Sequence, residues 1–525
     1  MKLKEMSLTM AMMFSASCFH HAQAKEEKKS PNILFVAVDD LNDWIGAMGD
    51  KGHPDAITPN LDRLAARGVY FTNNHANTTA CTPSRLSVMT GMGAVSTGCY
   101  TNKSGVRNEN LFEESIPLSS YLRQQGYHTM GCGKIEGHAL KGYDKRYPQT
   151  KMWDERLPRS FRINSETLKD AAGYGDVDFY PFPMGGSDIK KHNASYKGFS
   201  LCAGPIDRDY IPGGKMPDEL TVAWAIDKLH KDYEKPFMLG VGFVRPHVPY
   251  TAPREFFDLY PIDKIHVPED PKGEMDDIPL FGKAMAYGCF DPCDERMVRE
   301  LGPDYRRKLV QGYLASVTFM DAQLGKLLDA LDKSDYAENT IICLWSDHGQ
   351  HLGEKHSWRK QDLWQEATNC PMLWVVPGVT KGGKVCKEPT SLIDIYPTMV
   401  SLCGNDPVSR LDGTSLIPQL KNVKSKRSYP ALSSWSFGSH SLRGVRYHYI
   451  RYYDGSEELY DCKNDYAEHR NLASNPKYAK VIKRMKKFLP KDKYQPTDKN
   501  QEFHNYLDRV DRWTKDPASL PDYLK

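Results

Sequence analysis

Three apolar segments that end abruptly in polar residues constrain the fold of this chain most strongly. They are residues 33–38, 236–244 and 340–345, and apolar side chains occupy consecutive positions in them. Such runs are typical of strands with both faces buried, as in a parallel sheet covered by helices. We therefore predict an α/β fold in which helices cover a sheet that contains parallel strands.

Polar side chains follow these predicted strands at the point where each one ends. Asp39 and Asp40 follow the first strand, His247 follows the second between two prolines, and Asp347 and His348 follow the third. Ligands of open α/β sheets collect at the carboxyl ends of the strands. Adjacent buried carboxylates are costly unless they bind a cation or hydrogen-bond donors. These residues fit a ligand site, although a capped turn and a structural histidine would also explain them.

The segment from Cys81 to Arg85 combines a potential nucleophile with a permanent cation. Pro83 favours a turn, and we predict that Ser84 caps the helix that follows. The free N–H groups of a first helical turn, together with the guanidinium of Arg85, would suit an anion. A structural cysteine beside a capped helix is the other interpretation of this segment alone.

Further elements follow from local patterns. Thr58 and Pro59 predict the start of a helix, and residues 304–331 have the spacing of a long amphipathic one. Residues 127–133 predict a strand that leads to Lys134, which lies near an anion or in a solvated loop. We assign the weakly periodic region 139–215 to substrate recognition.

The composition changes near residue 405. We predict strands within 447–453 and 458–461 and a terminal helix over 479–489. The predicted organisation is therefore a catalytic domain over residues 30–405 and a smaller C-terminal α+β subdomain over 406–525.

The N-terminus has the features of an export signal. Lys2 and Lys4 precede an apolar stretch, and residues 22–24 fit an A-x-A cleavage site, so residues 1–24 are predicted to be a signal peptide. We expect a periplasmic protein; a secreted protein or a lipoprotein anchored through Cys18 is the alternative. No transmembrane segment is predicted, and a net charge of +3 gives no support for a nucleic-acid partner.

Several of these segments together resemble the type I, formylglycine-dependent sulfatases of the alkaline phosphatase superfamily. The resemblance runs from about Pro31 to Leu472, and its motifs are Asp39-Asp40, Cys81-x-Pro-Ser-Arg85, Gly133-Lys134, Pro246-His247 and Ser346-Asp347-His348-Gly349 followed by Lys360. His348 and the spacing to Lys360 are most similar to the iduronate-2-sulfatase branch and its bacterial glycan-degrading relatives. The resemblance implies an alkaline-phosphatase-like α/β fold, in which a large, mixed, mainly parallel sheet is sandwiched by helices. It also implies hydrolysis of the sulfate ester of a carbohydrate.

The family roles fall on matching residues of this chain. The resemblance implies conversion of Cys81 to 3-oxoalanine (formylglycine) by a formylglycine-generating or anaerobic sulfatase-maturating enzyme. The hydrate of that aldehyde would attack sulfur. The residues implied to hold one divalent cation, usually Ca²⁺, are Asp39, Asp40, Cys81, Asp347 and His348.

The implied catalytic side chains surround the same centre. Arg85, Lys134 and Lys360 would neutralise the sulfate oxygens. His247 would protonate the departing sugar oxygen, and His138 would take a proton from the hydrate so that sulfate leaves. The chain departs from the family pattern here, because His138 follows Lys134 by four residues instead of two or three.

Two other functions are compatible with these motifs. One is hydrolysis of phosphonates or phosphodiesters, since some members of the superfamily share the Cys-x-Pro-Ser-Arg motif. The other is glycan binding without catalysis, which would require that Cys81 stays unconverted. Trp435, His440 and Arg443 are further candidates to face a saccharide, with ordinary loop packing as the alternative.

Overall fold

Eight strands form the sheet on which the rest of the fold is built. The computed structural model describes residues 30–108, 110–111, 115–136, 149–157, 201–269, 271–288, 293–405, 408, 410–495 and 501–525. The strands of the main sheet are β1 (Asn32–Asp39), β2 (Val69–Phe71), β3 (His128–Gly133), β4 (Glu155–Arg156), β5 (Phe237–Pro246), β6 (Thr340–Ser346), β7 (Met372–Val375) and β8 (Lys384–Cys386).

The strand order places the predicted apolar segments side by side. From one edge to the other it is β8-β2-β7-β6-β1-β5-β3-β4. β1 pairs in parallel with both β5 and β6, and among the described strands of this sheet only β7 runs antiparallel. The carboxyl ends of β1, β3, β5 and β6 therefore meet at one edge, as the sequence predicts for a ligand site.

Helices cover both faces of the sheet. Along β1, Leu34, Val36 and Val38 belong to one hydrophobic cluster, whereas the alternating residues Ile33, Phe35 and Ala37 belong to a second. All six side chains are fully buried. This alternation confirms the predicted layer of helices on each side of a mainly parallel sheet.

The longer helices occur along the whole described part of the chain. They are α1 (Pro59–Arg67), α2 (Cys81–Thr90), α3 (Leu118–Gln124), α4 (Pro217–Leu229), α5 (Leu280–Tyr287), α6 (Asp294–Leu301), α7 (Pro303–Asp332), α8 (Ile395–Leu402) and α9 (Gln501–Lys515). Shorter helices are Ala94–Thr97, Gln149–Met152, Arg254–Phe257, Gln365–Thr368, Ile417–Lys421 and Ala479–Met485. α7 matches the predicted amphipathic helix within one residue at each end.

The start of α1 lies where Pro59 predicts it, but Thr58 does not cap it through its side chain. The cap comes from α7, because the carboxylate of Asp321 accepts hydrogen bonds from the backbone N–H groups of Asn60 and Leu61 at 3.0 and 2.7 Å. A carboxylate distant in sequence thus replaces the local hydroxyl, which no local pattern could indicate.

Smaller paired strands flank the main sheet. Three pairs are Asn74–His75 with Thr390–Ser391, Ala203–Ile206 with Tyr250–Pro253, and His351–Leu352 with Trp358–Arg359. The last pair forms the hairpin that leads to Lys360.

The C-terminal part contains the predicted second sheet. Its four antiparallel strands are β9 (Ala431–Ser434), β10 (His440–Arg443), β11 (Tyr447–Arg451) and β12 (Glu457–Asp461). The predicted terminal helix is shorter than expected, ending at Met485, and α9 is a helix that was not predicted. The helical spacing of Phe503, Tyr506 and Trp513, all buried, would have indicated it.

Residues Pro31–Lys525 form one compact unit, and the predicted boundary near residue 405 remains a prediction. The predicted signal peptide and Cys18 lie outside the described residues. In the part of the chain that the structure describes, no helix is both long and apolar enough to cross a bilayer.

Candidate active site

Asp39 and Asp40 lie at the point where β1 leaves the sheet. Asp39 is the last residue of the strand, and Asp40 has a φ of 63°, in the left-handed region that aspartate tolerates better than most residues. Both side chains are fully buried. This turn of the backbone brings two successive carboxylates to one edge of the sheet, so the predicted pair does face the site.

Cys81 is the first residue of α2, which approaches the same edge. Its side chain is almost entirely buried, with 5% exposure. The prediction that Ser84 caps this helix is wrong, because the helix begins three residues earlier. The Ser84 hydroxyl instead donates a 2.5 Å hydrogen bond to the Asp347 carbonyl oxygen, which ties α2 to the end of β6.

Arg85 binds the carboxylates at the ends of two neighbouring strands. Its Nη2 atom donates to Asp39 at 3.2 Å and its Nε atom donates to Asp347 at 2.9 Å. A third donor, Nη1, binds the Lys134 carbonyl oxygen. The guanidinium is fully buried, so its rigid fork fixes the relative positions of the strand ends.

Lys134 follows β3 and points toward the same carboxylates. Its Nζ atom binds Asp39 and lies 3.7 Å from Cys81 Sγ. The backbone here is very close to β5, since a Cβ on Gly133 would lie 1.9 Å from the Gly242 carbonyl oxygen. Two glycines therefore allow Lys134 to approach the site.

His348 is oriented toward Cys81 by its own backbone. Its Nδ1 atom is 2.9 Å from the Gly349 carbonyl oxygen, which assigns the proton to Nδ1. The lone pair of Nε2 then faces Cys81 Sγ at 3.4 Å and Asp40 Oδ1 at 3.4 Å. A histidine held in this tautomer is a suitable metal ligand.

Lys360 and His247 approach Asp40 from two other elements. Lys360 Nζ donates to Asp40 Oδ2 at 2.5 Å. His247 Nε2 lies 3.9 Å from the same oxygen, while its Nδ1 donates to the Val248 carbonyl oxygen at 2.6 Å. The structure thus brings together the predicted residues Asp39, Asp40, Cys81, Arg85, Lys134, His247, Asp347, His348 and Lys360.

Neighbouring charged groups lower the pKa of two of the three carboxylates. Burial alone would raise the pKa of Asp39, but Lys134, His247 and Arg85 hold it well below its usual range. The pKa of Asp40 is lowered to about 2, because His247 and Lys360 outweigh the effect of burial. For Asp347 burial prevails over Arg85 and the pKa is raised.

The two groups predicted to react have pKa values shifted in opposite directions. Burial, reinforced by Asp39, raises the pKa of the Cys81 thiol well above its ordinary value. Burial, reinforced by Lys360 and Lys134, lowers the pKa of His247 to about 3, although Asp40 opposes it. The thiol is therefore protonated and His247 is neutral at neutral pH.

The described residues include two groups of side chains that could hold a metal ion. Asp40, Cys81, Asp347 and His348 form one, and Asp39, Asp40, Cys81 and His247 form the other; the ligand atoms of each group lie within 4.8 Å of one another. Buried carboxylates with one imidazole fit a divalent cation, and their oxygen atoms favour a hard one. The two groups together contain the five predicted ligands, and one of them also contains His247.

One predicted catalytic residue, His138, lies outside the described residues, as does most of the predicted recognition region 139–215. Glu136, just before that gap, is buried and accepts hydrogen bonds from Trp153 Nε1 and Arg156 Nη2 at 2.5 and 2.8 Å. The chain is therefore anchored at Glu136 by contacts within the protein.

The three residues considered as saccharide contacts have partners within the protein. Trp435 is fully buried and donates to Tyr506. Arg443 Nη2 donates to Gln365 Oε1. His440 lies between Ser434 Oγ at 2.8 Å and Asp492 Oδ2 at 2.9 Å. All three support the C-terminal sheet, so ordinary packing explains them.

Sequence reasoning missed residues that support the site from a distance. The Asp218 carboxylate accepts hydrogen bonds from the backbone N–H groups of Val244 and Arg245, and Arg245 donates to the His247 carbonyl oxygen at 3.0 Å. Asn102 Oδ1 accepts a 3.0 Å hydrogen bond from the N–H of Thr82, next to Cys81. The position of Asp218 at the start of a helix carries no signal for such a role.

Comparisons with known proteins agree with this arrangement. The profile of the family described as "Sulfatase" matches residues 31–405, and that described as "N-sulphoglucosamine sulphohydrolase, C-terminal" matches residues 353–495. A protein named "Sulfatase" from Formosa agariphila is 34% identical over 94% of this chain and 92% of its own length. Human iduronate 2-sulfatase is 30% identical over 76% of this chain and 74% of its own length.

A solved structure shares the fold at lower identity. The phosphonate monoester hydrolase of Agrobacterium radiobacter aligns with a TM-score of 0.65 and 20% identity, over 87% of this chain and 94% of the other. This similarity concerns the fold and does not discriminate between sulfate and phosphonate esters.

Proposed function

This chain belongs to the sulfatase family, and from that premise we propose that it removes O-sulfate from a sulfated carbohydrate, with Cys81 as the precursor of the nucleophile. As a sulfatase it is a sulfuric ester hydrolase. The observation that carries the proposal is the surroundings of Cys81 Sγ, which lies within 3.8 Å of His348 Nε2, Lys134 Nζ and Asp40 Oδ1.

The thiol itself is poorly suited to attack a sulfate ester. Its raised pKa leaves it protonated at neutral pH, and the thiolate is the nucleophilic form. This supports conversion of Cys81 to formylglycine by a dedicated maturating enzyme. The aldehyde hydrate would supply one hydroxyl to bond to sulfur and a second whose loss of a proton lets the carbonyl form again as sulfate leaves.

The residues proposed to hold a divalent cation are Asp39, Asp40, Asp347 and His348, with an oxygen of converted Cys81. Their side chains are all fully buried except that of Cys81, and Ca²⁺ fits the three carboxylates best. When bound, the cation would supply positive charge that polarises the sulfate oxygens.

The side chains of the site bind and neutralise the rest of the sulfate group. The side chains of Arg85, Lys134 and Lys360 have little exposure and are positioned by carboxylates, so little reorganisation is needed when negative charge develops. His247 presents Nε2 to the site. A bound sulfate ester offsets the charge of Lys134 and Lys360, which favours the protonated form that can donate to the leaving sugar oxygen.

The proposal also includes a role for His138 and the export of the protein. His138 would take the proton from the hydrate, on the pattern of the family alone. Export to the periplasm, through cleavage after residue 24, would place the enzyme where sulfated polysaccharide fragments are available. Secretion and lipidation at Cys18 are the alternatives. The mass of the mature N-terminal peptide distinguishes lipidation at Cys18 from cleavage after residue 24, and the amounts of protein in periplasmic extract and culture medium distinguish a periplasmic from a secreted protein.

Similarity to human iduronate 2-sulfatase supports a uronic acid sulfated at O2 as the first substrate to test. The experiment is sulfate release from defined saccharides: 2-O-sulfated uronate, 2-, 4- and 6-O-sulfated galactose and N-acetylgalactosamine, and 6-O-sulfated glucosamine. The enzyme is co-produced with a formylglycine-generating enzyme, and Cys81→Ala is the control. Release by the wild type alone supports the proposal and identifies the ester position.

The second candidate is a phosphonate or phosphodiester hydrolase, since the fold shared with the Agrobacterium enzyme is compatible with either ester. Comparing kcat/KM for an aryl sulfate and an aryl phosphonate ester separates the two. If converted enzyme releases no sulfate from any saccharide yet hydrolyses the phosphonate, the sulfatase assignment of the substrate is wrong. A glycan-binding protein without catalysis would show an unconverted Cys81 peptide by mass spectrometry.

A further inference from the structure

Lys360 lies in a loop with an unusually constrained backbone. We call residues 353–361 the Lys360 loop. The two neighbours of Lys360, Arg359 and Gln361, have φ values of 71° and 89°, and Lys355 and His356 have 51° and 53°. Residues other than glycine rarely adopt this region, and they remain there only when surrounding contacts enforce it. Contacts with neighbouring elements must therefore hold the Lys360 loop in this conformation.

The first turn of α6 supplies side-chain contacts to the two residues before Lys360. Asp294 Oδ1 accepts from Arg359 Nη2 at 3.0 Å, and Asp294 Oδ2 lies 2.7 Å from Arg359 Nε. Glu295 Oε2 accepts from the indole Nε1 of Trp358 at 2.6 Å. Two successive acids of one helix thus hold two successive residues of the loop.

Glu295 is itself held in place from a second side. Its Oε1 atom lies 2.5 Å from Arg299 Nε and 3.6 Å from His356 Nδ1. Arg299 Nη2 in turn lies 3.0 Å from the same ring nitrogen. These contacts link α6 to the beginning of the Lys360 loop as well as to its end.

We propose that Asp294 and Glu295 are positioning residues that place the ammonium group of Lys360 against the substrate's sulfate, an inference that rests on the proposed function. Lysine is a compact charge on a flexible four-carbon stem. The position of its Nζ atom therefore depends on the position and orientation of the residue 360 backbone, from which the side chain extends. Asp294 and Glu295 act on that backbone through Arg359 and Trp358.

The test is a double-mutant cycle on the full-length enzyme, co-produced with a formylglycine-generating enzyme. Asp294→Asn and Glu295→Gln keep the shape of each side chain and remove its charge. Each is expected to lower kcat/KM for the sulfated saccharide by about tenfold to a hundredfold, since a displacement of about 1 Å in a site costs that much. Glu300→Gln is the matched control on the same helix, where Glu300 pairs with Arg296 at 2.9 Å in an exposed position.

The effect of Asp294→Asn in the presence and absence of the Lys360 side chain separates a positioning role from a general effect on stability. In a Lys360→Ala background, Asp294→Asn is expected to change kcat/KM by less than about twofold, because the group that it positions is gone. A loss by the same factor in both backgrounds would overturn the proposal. Should Asp294→Asn fail to fold, Glu295→Gln runs through the same cycle.

A crystal structure of Asp294→Asn gives a result that does not depend on turnover. Displacement of Lys360 Nζ from Asp40 Oδ2, which is 2.5 Å away in the wild type, is the expected outcome. An unchanged distance would overturn the inference. If the wild type releases no sulfate while Lys360 is displaced in the variant, the proposed function fails and the positioning role stands.

Discussion

Cys81 Sγ lies 3.4 Å from Nε2 of His348, and the two residues come from different elements, the start of α2 and the end of β6. The orientation of His348 is fixed by the hydrogen bond from its Nδ1 to the Gly349 carbonyl oxygen. The predicted nucleophile precursor and a predicted metal ligand are therefore neighbours, and the chemistry of each depends on the other.

Cys81→Ala is expected to lower sulfate release by about 10³-fold or more while the protein still folds, because the variant has no group that can bond to sulfur. The wild-type peptide that contains residue 81 should be lighter than its thiol form, as expected for an aldehyde. Mass spectrometry and sulfate release are measured on the same preparation. Equal turnover by Cys81→Ala would contradict the role of this residue.

Removal of divalent cations is expected to abolish activity and to lower the melting temperature. Asp39, Asp40 and Asp347 are fully buried, and an ion that binds only the folded protein stabilises it. Activity and melting temperature are measured after chelation and after addition of Ca²⁺ or Mg²⁺, with Ca²⁺ expected to restore both better. In Asp40→Asn the rise in melting temperature on adding Ca²⁺ should be smaller. A chelated enzyme that keeps full activity would exclude the proposed site.

His247→Ala is expected to lower kcat by a factor that depends on the leaving group of the substrate. Sugar sulfates release a poor leaving group and should lose about 10²–10⁴-fold in kcat, whereas 4-nitrophenyl sulfate, which needs no proton donor, should lose much less. A uniform loss on both substrates would contradict the assignment of His247 as the proton donor.

The pH dependence of the wild type should report the same group. The pKa of His247 is lowered to about 3 in the free site, so the protonated form becomes more abundant as the pH falls. We expect kcat/KM for sugar sulfates to rise as the pH decreases from about 8 to about 5, and to do so less in His247→Ala. A wild-type profile that falls with decreasing pH over this range would argue against a proton donor at this position.

The main sheet and the residues at its edge could be predicted because consecutive apolar residues mark buried strands. The structure bears this out for β1, β5 and β6, each followed by polar residues that reach the site. Contacts between side chains and elements distant in sequence could not be predicted. Asp321 caps α1 from α7, and Asp218 binds the end of β5 from α4. Neither position carries a motif.

At Ser84 the local sequence predicts the wrong role. A serine next to a proline is typical of a helix start, yet α2 begins at Cys81 and the Ser84 hydroxyl binds the backbone of Asp347. The alternative of ordinary packing was correct for Trp435, whose side chain is fully buried. Tertiary contacts decided both cases, and sequence patterns do not contain them.

Gly133→Ala is expected to destabilise the protein by about 2–4 kcal/mol and to displace Lys134. Gly133 has a φ of 64°, and an added Cβ would lie 1.9 Å from the Gly242 carbonyl oxygen. Gly105→Ala is the matched control, because Gly105 has a φ of 65° with no atom within 4 Å of an added Cβ; about 1 kcal/mol is expected there. If urea unfolding shows the same loss of unfolding free energy in both variants, the positive φ explains the destabilisation and the contact with Gly242 does not contribute.

The buried pair of His351 and Asp362 predicts how stability depends on pH. His351 Nε2 lies 3.0 Å from Asp362 Oδ1. Burial alone would lower the pKa of His351, but Asp362 outweighs it and raises the pKa to about 9 from its ordinary 6.5. Protonated His351 therefore contributes its full stabilisation below about pH 6.5, and the contribution is lost as the pH rises through about 9, by on the order of 3 kcal/mol. The free energy of unfolding, measured in urea at several pH values, should fall over this interval in the wild type and stay nearly constant in His351→Gln. The same slope in both proteins would assign the pH dependence to another group.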